Sequence, residues 1–271
     1  MGTEIIKLKG KNDELDNVRA EFTQAVADKD NLINVECHNI ENSYMLCVGH
    51  LEYQAFEKEC KARKLKREAE MMQALKNRQE KIDPVKIEEI LEAEFEEYKK
   101  ALDEKLQKVN DALNWEKAKP LTDEEIKTLK KKYKEIIKAL HPDLHPEVTE
   151  AQKELFNNAV IAYENGSLEN IEMIWEIAKG MDDTKNDKMD FDWIESEILR
   201  LRKLIDKIHA QKKKVKKSFP YTMKEFLQDS EAIENRKDEL NEIIASYETA
   251  ISKYQNRINE LITESDKGRL N

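Results

Sequence analysis

A histidine and an aspartate flank a proline at residues 141–143, in the segment HPDLHPE at 141–147. An imidazole beside a carboxylate could serve acid–base chemistry, and Pro142 restricts the backbone between them. No residue nearby resembles a nucleophile that this pair could activate. The chain also has no phosphate-cradling glycine loop and no nucleophile elbow. We therefore predict that the protein is not an enzyme and has no cofactor of its own.

Cysteine and histidine residues form a second group that could do chemistry, as ligands of a metal ion. Its members are Cys37, His38, Cys47, His50 and Cys60. On a helix, Cys47 and His50 would be neighbours, but Cys37 and Cys60 would point away from them, so a tetrahedral site would need a second element. We favour helical packing cysteines in a reducing compartment, and we predict no metal site.

The HPDLHPE loop follows a helix that is rich in lysine. Thr122-x-x-Glu125 is a capping box that begins this helix, and Pro142 ends it by disfavouring helical geometry at His141. One face of the helix is apolar, with Ile126, Leu129, Ile136, Ile137 and Leu140. The other side carries a lysine stripe, formed by Lys127, Lys130, Lys131, Lys134 and Lys138. This stripe could be a solvated face, but its position beside the loop favours a function.

A return helix follows the loop. Its capping box is Thr149-x-x-Gln152, and it ends at Asn165-Gly166. The residues that we expect to face inward are Phe156, Ala159, Ala162 and Tyr163. A short further helix contains Ile171, Ile174, Trp175 and Ile177. Residues 119–180 are therefore predicted to form a helical hairpin with the loop at its tip.

This hairpin resembles the J domain of DnaJ-type co-chaperones. The similar segments are YKEIIKALHPD and LFNNAVIAYENG, which match the family's basic helix, its His-Pro-Asp loop and its Phe-x-x-Ala-x-x-Ala-Tyr return helix. Tyr133 stands eight residues before His141. The flanking segments YMLCVGHLEYQAFEKE and SFPYTMKEFL resemble, more weakly, accessory regions of certain bacterial J-domain proteins.

The resemblance implies that the protein docks on an ATP-bound DnaK-type chaperone and triggers ATP hydrolysis, so that the chaperone clamps its client. His141, Pro142 and Asp143 would then form the triggering loop. The docking surface would comprise Tyr133, Lys127, Lys130, Lys134 and Lys138. Tyr133 also lies near the apolar stripe, so packing in the core is an equal alternative for it.

The sequence departs from the family pattern in three ways. Glu135 stands where a basic residue is common, and Leu144-His145 replaces a basic-Asn pair. The family's short first helix is not visible before Pro120, and we expect residues near Leu113 and Trp115 to replace its packing. The chain also has no Gly/Phe-rich linker, zinc module or β-rich client domain.

The composition predicts an all-α protein. Charged residues make up 38% of the chain, which has only six glycines and five prolines, a mixture typical of helical bundles and coiled coils. We predict that residues 1–118 form an antiparallel helical bundle. Its first reversal would lie at DKDN (28–31), and its third helix would run from Pro84 to about Trp115.

Residues 187–271 carry two apolar seams with heptad spacing on either side of the turn SFPY at 218–221. The first seam is Phe191, Ile194, Ile198, Leu201, Ile205 and Ile208. The second is Ile233, Leu240, Ile244, Tyr247, Ile251, Tyr254, Ile258 and Leu261. We predict an antiparallel coiled-coil hairpin whose longer second arm packs on the rest of the chain or on a second copy.

The charge balance restricts the partners. The formal net charge of −10 disfavours nucleic acid and anionic membranes as general partners, and no apolar run approaches the roughly 20 residues that span a bilayer. We expect a soluble, cytoplasmic protein. The alternatives are a scaffolding coiled-coil protein with an uncoupled J-like unit, or a nucleic-acid-associated factor that uses KKKVKK at 212–217. We favour solvated lysines for that cluster.

Overall fold

The computed structural model describes residues 2–117, 121–179 and 191–267, and within these ranges it is helical with no strand. The predicted all-α class is confirmed. None of the helices in the described ranges is long and apolar enough to cross a membrane.

The N-terminal part of the chain stays helical where a reversal was predicted. α1 (Gly2–Asp30) continues through a π-helical stretch (Asn31–Cys37) into α2 (His38–Tyr44), and a second π-helical stretch (Met45–Gly49) leads into α3 (His50–Asn77). Asp30 has helical angles (φ −67°, ψ −38°), so the predicted turn at DKDN is wrong. Of these four residues, Asp30 is buried and accepts a hydrogen bond, whereas Asp28 is exposed.

The described residues divide into two compact units. The first, here called the loop unit, is drawn from residues 1–39 and 119–222, and the second, the flanking unit, from residues 40–118 and 223–271. Each unit therefore combines a stretch of the N-terminal half with a stretch from later in the chain. The three consecutive segments predicted from the sequence (1–118, 119–180 and 187–271) do not match this division.

In the loop unit, α6 (Asp123–Leu140), α7 (Glu150–Glu164) and α8 (Leu168–Lys179) pack against one another. Both predicted capping boxes are formed, at Thr122 with Glu125 and at Thr149 with Gln152. α6 ends at His141, whose extended angles (φ −63°, ψ 126°) are those favoured before a proline. Gly166, just past the end of α7, has the positive φ (63°) that a helix C-terminus often needs.

The remaining helices of the loop unit are α1 and α9 (Phe191–Val215), which pack along each other. Apolar residues of α1, among them Leu15, Val18, Phe22, Ala25 and Val26, are buried and share one core with α6, α7, α8 and α9. The described part of this core buries the predicted seam of α9, apart from the exposed Phe191. α1 thus supplies packing that we expected from Leu113 and Trp115, both of which are exposed.

In the flanking unit, α11 (Ser230–Lys267) packs along α3, next to α4 (Pro84–Glu94), α5 (Glu96–Lys117) and the short α10 (Met223–Phe226). The predicted helix from Pro84 to Trp115 is thus two helices, which meet at Phe95. Because α9 packs on α1 and α11 packs on α3, the predicted C-terminal hairpin is replaced by one helix pair in each unit. Heptad spacing identified the buried faces of these helices but not their partners.

Candidate functional site

The His-Pro-Asp loop is a tight, hydrogen-bonded turn at the end of α6. The His141 N–H donates to the Ile137 carbonyl (3.0 Å), and the His141 carbonyl accepts from the N–H groups of Leu144 (2.9 Å) and His145 (3.0 Å). Leu144 is buried, whereas Pro142 and Asp143 are half-buried. The turn is thus anchored at both ends, with Pro142 and Asp143 between the anchors.

The ring of His141 is held in an aromatic slot. Phe22 of α1 and Phe156 of α7 each make a T-shaped contact with it, at centroid distances of 5.0 and 5.1 Å. Burial lowers the pKa of His141 to about 4, although the charges of Asp143 and Asp30 act in the opposite direction. The Asp143 N–H also donates to Nδ1 of His141 (3.1 Å), which requires that nitrogen to be unprotonated. His141 is therefore neutral near pH 7, with its proton on Nε2.

Asp143 uses its backbone within the fold and leaves its carboxylate available. The guanidinium of Arg200, on α9, donates to the Asp143 carbonyl. In the part of the chain that the structure describes, the carboxylate accepts no hydrogen bond and forms no ion pair. A carboxylate in an ordered turn can accept a charge-assisted bond from a cation outside the chain.

The lysine stripe lies on the face of α6 that points away from the core. At about 100° per residue, its members fall within one arc, opposite the buried residues of the helix. Lys134 is half-buried and the others are exposed. Within the described ranges, none of the five is paired with a carboxylate, as the ion pairs of α6 show. The members are Lys127, Lys130, Lys131, Lys134 and Lys138.

Glu135 and Lys132 belong to a third face of α6, which is turned toward α8. The indole N–H of Trp175 donates to the Glu135 carboxylate, and Lys132 pairs with Glu172 (3.0 Å). The ammonium of Lys132 also lies 4.1 Å from the centroid of the Trp175 ring. The departure from the family pattern at Glu135 is therefore a packing feature of the α6–α8 contact, and it does not interrupt the lysine stripe.

Tyr133 does not lie on the predicted docking surface. Its side chain is 0% exposed, its ring stacks on Tyr163 (centroids 4.1 Å apart, interplanar angle 12°), and its hydroxyl donates to Asp30 (2.8 Å). Burial raises the pKa of Tyr133 well above its ordinary value, with the Asp30 charge acting in the same direction. Of the two alternatives for Tyr133, the structure supports packing, because a fully buried ring presents no surface to a partner.

Sequence reasoning missed three residues that shape the loop: Phe22, Asp30 and Arg200. Phe22 belongs to an apolar stripe on α1, and this pattern predicts only an ordinary core-facing side of a helix. The Glu197-x-x-Arg200 spacing predicts a pair at i, i+3, and Arg200 does bond Glu197, but spacing gives no sign that the same guanidinium reaches residue 143. Asp30 stood in the polar stretch that we assigned to a turn.

Two other candidate sites, the cysteine and histidine group and the lysine cluster at 212–217, have less support from the structure. Cys37 and Cys60 are buried thiols and Cys47 is half-buried, and the described residues contain no group of three ligands that could hold a metal ion. In the 212–217 cluster, Lys212 pairs with Asp28 (3.1 Å) and the ammonium of Lys216 lies 5.7 Å from the centroid of the Tyr221 ring. The cluster is thus partly engaged within its own unit.

Comparisons with protein-family models, curated proteins and solved structures found no significant match to this chain. The assignment of a function therefore depends on the geometry of the loop, the charges around it and the sequence pattern.

Replacement of Tyr133 by Phe should destabilise the loop unit. The variant leaves the buried Asp30 carboxylate without its hydroxyl donor, which costs about 1–3 kcal/mol. Tyr163→Phe is the matched control, because the hydroxyl of the stacked partner makes only a long bond of 3.4 Å to Asn31. Urea unfolding followed by circular dichroism should show a larger loss for Tyr133→Phe. Equal losses in the two variants would contradict this account of Asp30.

The His141 ring should titrate far below the range of a free histidine. We expect an NMR titration midpoint at about 4, against an ordinary value of 6.5. As pH falls from about 6.5 to about 4, the unfolded chain takes up a proton that the folded state does not, so the free energy of unfolding should decrease across this range. His141→Gln should remove this part of the acid sensitivity. A midpoint near 6.5 would show that the ring is outside the aromatic slot.

Proposed function

We propose that this protein is a J-domain-type co-chaperone, which docks on a DnaK-type chaperone and stimulates its ATP hydrolysis through the His-Pro-Asp loop. The observation that carries the proposal is the lysine stripe, which has no carboxylate partner in the described chain and leads directly to an ordered loop with an available Asp143 carboxylate. The protein itself needs no cofactor, since the ATP belongs to the partner.

The lysine stripe favours an acidic partner surface. Like charges gathered on one face of a helix attract an oppositely charged surface over several ångströms and raise the rate of encounter. The chain as a whole is acidic, with a formal net charge of −10. Electrostatic attraction would therefore bring the partner to α6 in preference to the other faces, and the association should be sensitive to salt.

The loop would act once the partner has docked. His141 is the internal anchor, since its neutral ring is held by Phe22 and Phe156. Pro142 limits the backbone freedom that docking would otherwise remove. Asp143 would accept a charge-assisted, and ideally bidentate, bond from a partner arginine. The order of the loop before docking reduces the entropy lost in the complex.

The helices outside the loop unit would select the location or the client. This role is assigned to the flanking unit because it has its own core and contains none of the loop residues. A cytoplasmic partner of the DnaK type would place the protein in the cytoplasm.

The decisive experiment is steady-state ATP hydrolysis by the same organism's DnaK-type chaperone, with and without the protein. We expect stimulation by the wild type and its loss in Asp143→Asn and in His141→Gln. Asp143→Asn is the sharper variant, because both loop contacts of Asp143 use its backbone and survive the change. We expect stimulation to fall by about tenfold or more, in line with about 1.5–3 kcal/mol for a bond to a charged group. Full stimulation by a folded Asp143→Asn variant, or none by the wild type, would refute the proposal.

The lysine stripe can be tested with two substitutions that change the charge equally on the same helix. Lys130→Gln removes an unpaired cation, whereas Lys132→Gln removes one that is already engaged by Glu172 and Trp175. At low salt, the half-saturating concentration should rise roughly two- to fivefold for Lys130→Gln, as expected for an exposed charge pair. Lys132→Gln should have little effect.

The difference between the two variants should disappear at about 1 M salt, where the Debye length is only about 3 Å. Equal effects of Lys130→Gln and Lys132→Gln at low salt would mean that net charge, and not the stripe, governs the association.

A further inference from the structure

Arg200 connects α9 to the loop although it lies 57 residues beyond Asp143 in the sequence. Its guanidinium donates to the Asp143 carbonyl and also bonds both carboxylate oxygens of Glu197, each at 2.7 Å. One planar group therefore joins the turn of the loop to a residue one helical turn earlier on α9.

Glu197 fixes the orientation of Arg200. It is only 9% exposed, and a carboxylate at such a position is costly to bury unless it is paired and hydrogen-bonded. Bonding through two oxygens matches the fork geometry of a guanidinium and leaves the Arg200 side chain little rotational freedom. The same Nη2 that bonds Glu197 is thereby directed at the Asp143 carbonyl, to which it also donates.

The contact uses the backbone of the loop and not the Asp143 carboxylate. Arg200 bonds the carbonyl of Asp143, whereas its bonds to carboxylate oxygens are those to Glu197. The guanidinium therefore orders the turn without occupying the carboxylate that a partner would bind. The aromatic slot around His141 fixes one end of the loop, and Arg200 fixes the peptide group that follows Asp143.

We propose that Arg200, oriented by Glu197, is a positioning residue that holds the His-Pro-Asp loop in the conformation required for docking. The functional part of the protein then includes α9 and is not confined to residues 119–180. The effect on the chaperone rests on the function proposed above, whereas the ordering of the loop is a property of this chain alone.

The test compares Arg200→Met with Arg202→Met in the full-length protein. Methionine keeps an unbranched stem and removes the guanidinium. Arg202 is the matched control, because it lies on the same helix and pairs with Glu14 of α1 (2.8 Å) without reaching the loop. The first measurement is made by NMR, from the carbonyl carbon shift of Asp143 and the hydrogen exchange of the Leu144 and His145 amides.

Arg200→Met should shift the Asp143 carbonyl signal and speed exchange of the two amides by about tenfold, which corresponds to about 1.4 kcal/mol. Arg202→Met should change neither. Arg200→Lys should restore the loop signals only in part, because an ammonium cannot reproduce the fork. Unchanged loop signals in Arg200→Met would overturn the proposal without any reference to the chaperone.

The second measurement is stimulation of the chaperone ATPase over a range of protein concentrations. For Arg200→Met we expect a roughly tenfold higher half-saturating concentration, since only the ordered fraction of the loop can dock. Arg202→Met should behave as the wild type. Stimulation that is equal or stronger in Arg200→Met would overturn the positioning role and make the contact irrelevant or inhibitory.

A wild-type protein that stimulates no chaperone would refute the proposed function. The NMR comparison would still decide whether Arg200 orders the loop, so the two failures are distinguishable.

Discussion

The geometry of the candidate site depends on one apolar slot, which accepts the neutral ring of His141. Phe22 and Phe156 come from helices that are far apart in the sequence, and burial of the His141 ring between them disfavours an imidazolium. The same ring is the acceptor for the Asp143 N–H, so the protonation state of His141 and the shape of the turn are coupled. A charged ring would lose both the slot and the hydrogen bond, and Pro142 and Asp143 would no longer be held at the end of α6.

The side chains of α6 lie on three faces of the helix, each with different surroundings. The core face carries Tyr133, the face toward α8 carries Lys132 and Glu135, and the third carries the lysine stripe. The hydroxyl of Tyr133 also bonds Asp30, the last residue of α1, so α6 is fixed in rotation as well as in position. With that rotation fixed, the lysines point outward and the loop leaves the helix in a defined direction.

Much of α6 and its loop could be predicted from local chemistry. Capping boxes, the helix end before Pro142 and the apolar face of α6 depend on residues within a few positions of one another, and the structure contains all three. Contacts between distant segments could not be predicted. Heptad spacing shows that Leu201 and Leu261 are buried, but it does not indicate that one seam faces α1 and the other α3. The role of Tyr133 was ambiguous, because periodicity places its ring near the apolar face of α6 but does not reveal the buried hydrogen-bond acceptor, Asp30.

The charge arrangement on α6 is unfavourable for folding alone. Five pairs of stripe lysines lie three or four residues apart, and each such pair of like charges destabilises a helix by about 0.2–0.5 kcal/mol. Several other lysines of the described chain do pair with a carboxylate: Lys132 with Glu172, Lys64 with Glu88 and Lys212 with Asp28. With more acidic than basic residues available, a lack of carboxylates cannot explain the unpaired stripe. Natural sequences break such local rules chiefly at functional sites. Under the proposed function, the counter-charges of the stripe would belong to the partner, which would then lie next to the loop.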